Sequence, residues 1–250
     1  MQFTIGCDPE FFLMKNKKYI SAVGMIGGSK DEPLALDKEG FAILEDNVSV
    51  EFNIAPCHNH EEFVGAIDYV MDNLKKRLLG YEFGEDSAVL FNPKELMHPQ
   101  AMEFGCEPDY NVWTMDINPR PVATDATLRS AGGHVHVGTT LPTPDVIKAM
   151  DLFLGVPSTV LDNGTLRRQL YGKAGSHRPK PYGCEYRTLS NFWIFKKELI
   201  EWVYNQTNKA LEFVANGNKI TDEEGTLIQA CINNDDRSAY ESLKSTFGLA

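Results

Sequence analysis

Four short stretches of this chain carry side chains able to bind a cation or an anion. Asp8 and Glu10 stand two residues apart around Pro9. Glu51 and Asn53, His134 and His136, and Glu185 and Arg187 repeat that spacing. In an extended strand, residues i and i+2 point to the same face. Each pair therefore puts polar groups where a strand would otherwise carry apolar ones. Taken singly, such pairs are solvated faces, packed pairs or cross-strand salt bridges. Together they place carboxylates, imidazoles and a guanidinium around one concavity. Three carboxylates held close to one another repel and call for a cation. Two histidines suit zinc, copper or non-haem iron, whereas a set made mostly of carboxylates suits Mg²⁺ or Mn²⁺.

The cationic residues favour the second option. Arg129, Arg167, Arg168, Lys173, Arg178, Lys180 and Arg187 crowd about sixty residues of a chain whose net charge is −11. A basic stretch in an acidic protein points to a local anionic ligand. Arginines beside a carboxylate-held metal fit a polyphosphate, which takes both metal and guanidinium clamps. The combination reads as Mg-ATP bound without a P-loop, since neither GxGxxG nor GxxxxGK[ST] occurs. The acidic balance argues against duplex nucleic acid and against a polybasic membrane contact.

These residues need elements to hold them. "FTIGCDPEFFLM" and "YISAV" flank "KNKK", a hairpin pattern, and Pro9 predicts a bend beside Asp8. "GFAILED" and "NVSVEFNIAP" flank Asp46-Asn47, a second hairpin; Val48, Val50, Phe52 and Ile54 take one face, and Ser49, Glu51 and Asn53 the other. Asn59 and Glu62 open a helix carrying Phe63, Ile67, Val70, Met71, Leu74 and Leu78, which Gly80 closes. Thr143-Pro144 starts another, and residues 157–170 are helical in part. "YGKAGSHRPKPYG" reads as loop, and "CEYRTLSNFW" as a strand running into a turn. The C-terminus is helical, with a capping box at Thr221 and Glu224. Residues 92–127 hold five prolines and little periodicity. They read as a substrate-recognition excursion including Tyr110, Trp113 and Arg120. Gly132 and Gly133 are expected to let a phosphate or an adenine approach the backbone.

The whole is an α+β chain with a mostly antiparallel sheet, expected to form one domain over residues 1–250. No run approaches the ~18 apolar residues of a membrane span. The N-terminus lacks the pattern of a secretion signal, so a cytoplasmic protein is expected. The five cysteines are dispersed and read as free thiols.

The stretches "GCDPEFFL", "NVSVEFNIAP", "AGGHVHVG" and "LRRQLYGKAGSHRPKPYGCEYRTLSNFW" resemble, in this order, the phage-type carboxylate-amine ligases of the glutamine synthetase-like superfamily. That resemblance implies an antiparallel sheet curved into a half-barrel and flanked by helices, with ATP and Mg²⁺ or Mn²⁺ in its concavity. It implies ATP-dependent joining of a small-molecule or peptide carboxylate to an amine through an acyl phosphate. Glu10, Glu51, Glu185, His134 and Asp8 would be metal ligands. His134, His136, Lys180 and Arg187 would contact nucleotide. Arg167, Arg168, Arg178 and Arg187 would stabilise the transferred phosphoryl. The first strand departs from the family's Glu-x-Glu in having Asp-Pro-Glu. The resemblance leaves an oligomer open, and a phage-encoded chain would act in the host cytoplasm. Two competing readings are a metal-dependent hydrolase built on His134 and His136, and a non-catalytic binding protein of the same fold.

Overall fold

Pro9 has no backbone N–H to give a sheet and fixes its own φ. The first extended segment accordingly splits there, and its halves join different sheets. In the computed structural model, which describes residues 3–102, 109–119 and 125–249, β1 (Thr4–Cys7) and β2 (Glu10–Lys15) flank the break. They are followed by β3 (Lys18–Ile20), β4 (Leu34–Ala35), β5 (Ala42–Asp46), β6 (Ser49–Asn53), α1 (His60–Arg77), β7 (Glu82–Gly84), β8 (Ala88–Leu90), α2 (Pro99–Met102), β9 (Tyr110–Asn111) and β10 (Asp116–Ile117). The second half holds β11 (Leu128–Ser130), β12 (Val135–Gly138), α3 (Thr143–Met150), α4 (Val156–Leu161), α5 (Thr165–Leu170), β13 (Ser176–Lys180), β14 (Gly183–Tyr186), α6 (Lys197–Ala215), α7 (Asp222–Asn234) and α8 (Arg237–Phe247).

Of the two larger sheets, one runs β1-β12-β14-β13-β9-β10 and the other β3-β2-β6-β5-β4 with β7 also on β2, while β8 and β11 form a separate pair. Every strand pairing described is antiparallel. This is the expected α+β class with antiparallel sheets, and among the described residues no closed barrel forms. The hairpin turns carry left-handed residues, at Asn16 and Lys17 between β2 and β3 and at Asn47 between β5 and β6. Asparagine tolerates that conformation, which explains why these turns are legible. The segment from Tyr171 to Gly183, expected as loop, contains β13. Its Pro179 lies beyond the two residues that pair with β9, so the missing N–H interrupts no ladder on that side.

The sheets are stitched together at the break. Glu10 N donates to Gly132 O at 2.8 Å, Asp8 N to His134 O at 3.4 Å, and Phe52 N to Pro9 O at 3.3 Å. Behind them lies the main apolar core, running from Ile5 to Leu249, with a smaller cluster around Phe12, Val89 and Phe91 beside it. Its helical side is built from the stripe Phe63, Ile67, Val70 and Leu74 of α1, from α3 and from α6. The α1 cap is as expected: the Asn59 side chain accepts from Glu62 N. Glu62 reaches back one residue further than a standard box, to His58 N. The Thr221–Glu224 box on α7 is complete. Between α3 and α4 the helix widens into a π-turn at Asp151–Gly155, just ahead of Pro157. No helix is long and apolar enough to cross a membrane among the described residues.

Candidate functional site

Strand register assembles the site from the two sheets. On β2 and β6, Glu10 and Glu51 are direct cross-strand partners, a like-charge pairing that costs stability unless a cation relieves it. Asp46, at the end of β5, completes a trio in which one oxygen from each residue lies within 4.8 Å of the other two. Among the described residues, Glu51 has no hydrogen-bond donor. Burial, then the charges of Asp8, Glu10 and Asp46, push its carboxyl well above the usual range. Burial and Asp46 likewise raise Glu10 to about 7, although Glu10 accepts from Gly132 N at 3.0 Å. Such a group of carboxylates has the donor set and spacing of a hard divalent-cation site.

In the other sheet Glu185 faces His136 on β12 and Arg178 on β13. Asp8, just beyond β1, closes a second ligand-spaced trio, Asp8–His136–Glu185. Here the charges are already balanced. His136 Nε2 lies 3.1 Å and His134 Nδ1 3.3 Å from Asp8. Glu185 meets Lys180 at 2.8 Å, Arg178 at 3.7 Å and Arg187 in a short ion pair. Burial and Asp8 would raise the Glu185 carboxyl, but Arg187 and the other cations outweigh them and hold it at about 2. Burial and Arg187 lower His134 to about 4, leaving a neutral ring. Burial also opposes charge on His136, but Asp8 outweighs it and raises that imidazole. Tyr182, in the β13–β14 turn, stacks on His136 and places its hydroxyl against Nδ1.

A cavity of about 400 Å³ opens on the first trio's side. Its walls include Glu10, Asp46, Lys30, Arg167, Arg187 and Tyr171. Arg167 is braced by the carbonyls of Thr188 (3.0 Å) and Arg187 (3.3 Å), so its guanidinium is held in the wall. Arg187, bound to Glu185 and 3.3 Å from His134 Nδ1, stands between cavity and second trio.

Three expectations change. Arg168 does not line the cavity; it pairs with Asp162 at 3.3 Å. Consecutive helical residues point about 100° apart, and here Arg167 and Arg168 meet different partners. The imidazole in the ligand-spaced trio is that of His136. His134 precedes β12 and folds over Gly132, where a Cβ would come within 2.3 Å of its ring. The glycines make room for protein groups: a Cβ on Gly133 would meet Ser190 O at 2.1 Å and Trp193 Nε1 at 2.5 Å. Of the expected recognition excursion, Tyr110 and Trp113 lie on or beside β9, and Trp113 donates to buried Asp151 at 2.7 Å. Arg120 and Cys106 fall outside the described residues; the other four cysteines are buried and unpaired.

Sequence reasoning missed Asp46, Lys30 and Glu45. Asp46 ends its strand at what reads as turn chemistry. Lys30 sits in a glycine-rich loop without periodicity. Glu45 looks like a solvated neighbour of Asp46, yet it is buried.

The fold and site define an α+β protein with two ligand-spaced groups on either side of one proline, flanked by arginines. Residues 123–230 match the family model of phage phiEco32-like COOH.NH2 ligase, type 2, and this match supports a carboxylate-amine ligase family. The matched stretch contains His134, His136, Arg167, Arg178, Lys180, Glu185 and Arg187; the acids Asp8, Glu10, Asp46 and Glu51 precede it. No curated protein matches the chain.

Proposed function

We propose that this protein is an ATP-dependent ligase that joins a carboxylate to an amine through an acyl phosphate. One observation carries the reading: two ligand-spaced acidic groups lie side by side, and cations face both of them. The first trio fits a divalent ion because its carboxylates are crowded and, among the described residues, Glu51 has no donor. The second offers one imidazole and two carboxylates, and an ion bound there would take over the balancing role of Lys180, Arg178 and Arg187 and leave them to face phosphates. Glu10, Asp46 and Glu51 would hold one Mg²⁺ or Mn²⁺, and Asp8, His136 and Glu185 another. When bound, these ions supply charge neutralisation to phosphate oxygens.

The chain's own groups divide the rest. Arg178 and Lys180 border the second trio and face the nucleotide phosphates. Arg167 and Arg187 stand where the phosphoryl meets the cavity, and stabilise the charge that builds during transfer. The cavity takes the carboxylate and the amine and keeps water from the acyl phosphate. A substrate carboxylate oxygen attacks the γ-phosphorus and ADP departs. The amine nitrogen then attacks the acyl carbon, the carbon–oxygen bond to phosphate breaks, and inorganic phosphate leaves. The proton shed by nitrogen leaves to solvent through the cavity mouth. The test is release of ADP from a panel of amino acids, polyamines and peptides. Release that needs both a carboxylate and an amine, with hydroxylamine trapping a hydroxamate, supports the reading. Release indifferent to both makes the protein an ATPase.

A further inference from the structure

Lys30 is a cation in a place that sequence pattern does not explain. It lines the cavity, and its Nζ lies 2.8 Å from Asp46 Oδ2. Glu10 and Glu51, the other two members of the first trio, also act on its charge. The ammonium therefore offsets the same three carboxylates that a divalent ion would use.

The glycine-rich turn of the loop that delivers it is gripped by one carboxylate. Glu45 accepts from Gly24 N at 2.8 Å, Ile26 N at 2.7 Å and Gly27 N at 3.0 Å. Its own N–H donates to Gly28 O at 2.9 Å. Gly24 and Gly27 have φ of +79° and +88°, a conformation glycine adopts freely and one that lets nearby N–H groups converge on one carboxylate. Successive residues of β5 thus do paired jobs: Glu45 grips the loop, and Asp46 receives the ammonium at its end. Lys30 has the reach and mobility for an exchangeable partner, with 54% of its side chain exposed.

We propose that Lys30 is a tethered cation that balances the Glu10–Asp46–Glu51 trio and competes with the divalent ion for Asp46, with Glu45 as its positioning residue. The inference rests on reading that trio as a divalent-cation site. An ammonium and a divalent ion repel one another, so binding of the metal displaces Lys30 from Asp46 and turns its charge toward the cavity.

Mn²⁺ titration of the full chain, followed by the electron paramagnetic resonance of free Mn²⁺, tests this, with each variant first shown to be folded by circular dichroism. The relevant signal is the component of binding that Glu51→Gln abolishes. Lys30→Gln is expected to tighten that component about two- to fivefold, the size of a partly exposed ion pair. Lys30→Arg restores the wild-type value. Glu45→Gln, which frees the loop, tightens binding like Lys30→Gln, and the double variant adds nothing further. Equal or weaker binding in Lys30→Gln, with the Glu51-sensitive component intact, overturns the role of Lys30. A Glu51→Gln protein that binds Mn²⁺ like wild type overturns the metal reading itself, and the competition with it.

Discussion

At Glu10 and Glu51 the chain sets two acids opposite each other across a strand pair and adds Asp46 beside them. Without a cation this arrangement costs stability. For an acid whose folded-state pKa is raised, the native form binds more protons than the unfolded chain above the unfolded value near 4.3, so stability falls as pH rises from there. Glu51→Gln should therefore melt higher than wild type in chelator at pH 8, while gaining less from added Mn²⁺. A thermal melt in EDTA and in Mn²⁺ checks both halves. Mn²⁺ affinity should also climb as pH passes through about 7, where Glu10 loses its proton, and go on climbing as Glu51, which burial and its acidic neighbours also hold high, loses its own. Titrations at pH 6, 7 and 8 would show it, and a pH-independent affinity would contradict it. Most of these residues were legible because a period-two polar pattern survives in strands. Asp46 was not, since its partners are brought to it by the hairpin. The pairing of Arg168 with Asp162 was not legible either, because adjacency in sequence says nothing of direction on a helix.

Among the elements, β2, β6, α1 and the helical C-terminus follow from local pattern and capping. The strand β13 does not, because Gly172, Gly175 and Pro179 mask it and its extended form comes from pairing with β14 and β9. The glycines before β12 show the same limit: their small size is demanded by Ser190, Trp193 and His134, which lie far away in sequence or fold back. Gly133→Ala should destabilise the protein by about 2 kcal/mol or more through overpacking. Gly65, inside α1, faces open space: a Cβ added there would meet nothing within 4 Å. Gly65→Ala should accordingly stabilise by about 0.5–1 kcal/mol. Urea melts of the two variants give the comparison; equal effects would refute the packing account.

For the molecule as a whole, the main apolar core runs from the first strand to the last helix, and the site straddles the seam between the sheets. A single unfolding transition is expected by calorimetry. Mn²⁺ at about a hundred times its dissociation constant should move it up by about 5–10 °C, since ligand binding to the native state at that level adds about 2.7 kcal/mol. Two transitions, only one of them moved by Mn²⁺, would divide the chain into separate units. The break at Pro9 has one further consequence. Asp8 and Glu10 belong to different ligand-spaced groups, yet they are two peptide units apart, and successive Cα atoms stand a fixed ~3.8 Å from each other. The gauge between the two groups is thus set by covalent bonds rather than by how the sheets pack. Insertions in distant loops, or a shorter helical layer, can reshape the chamber for a new substrate while this internal ruler keeps its length.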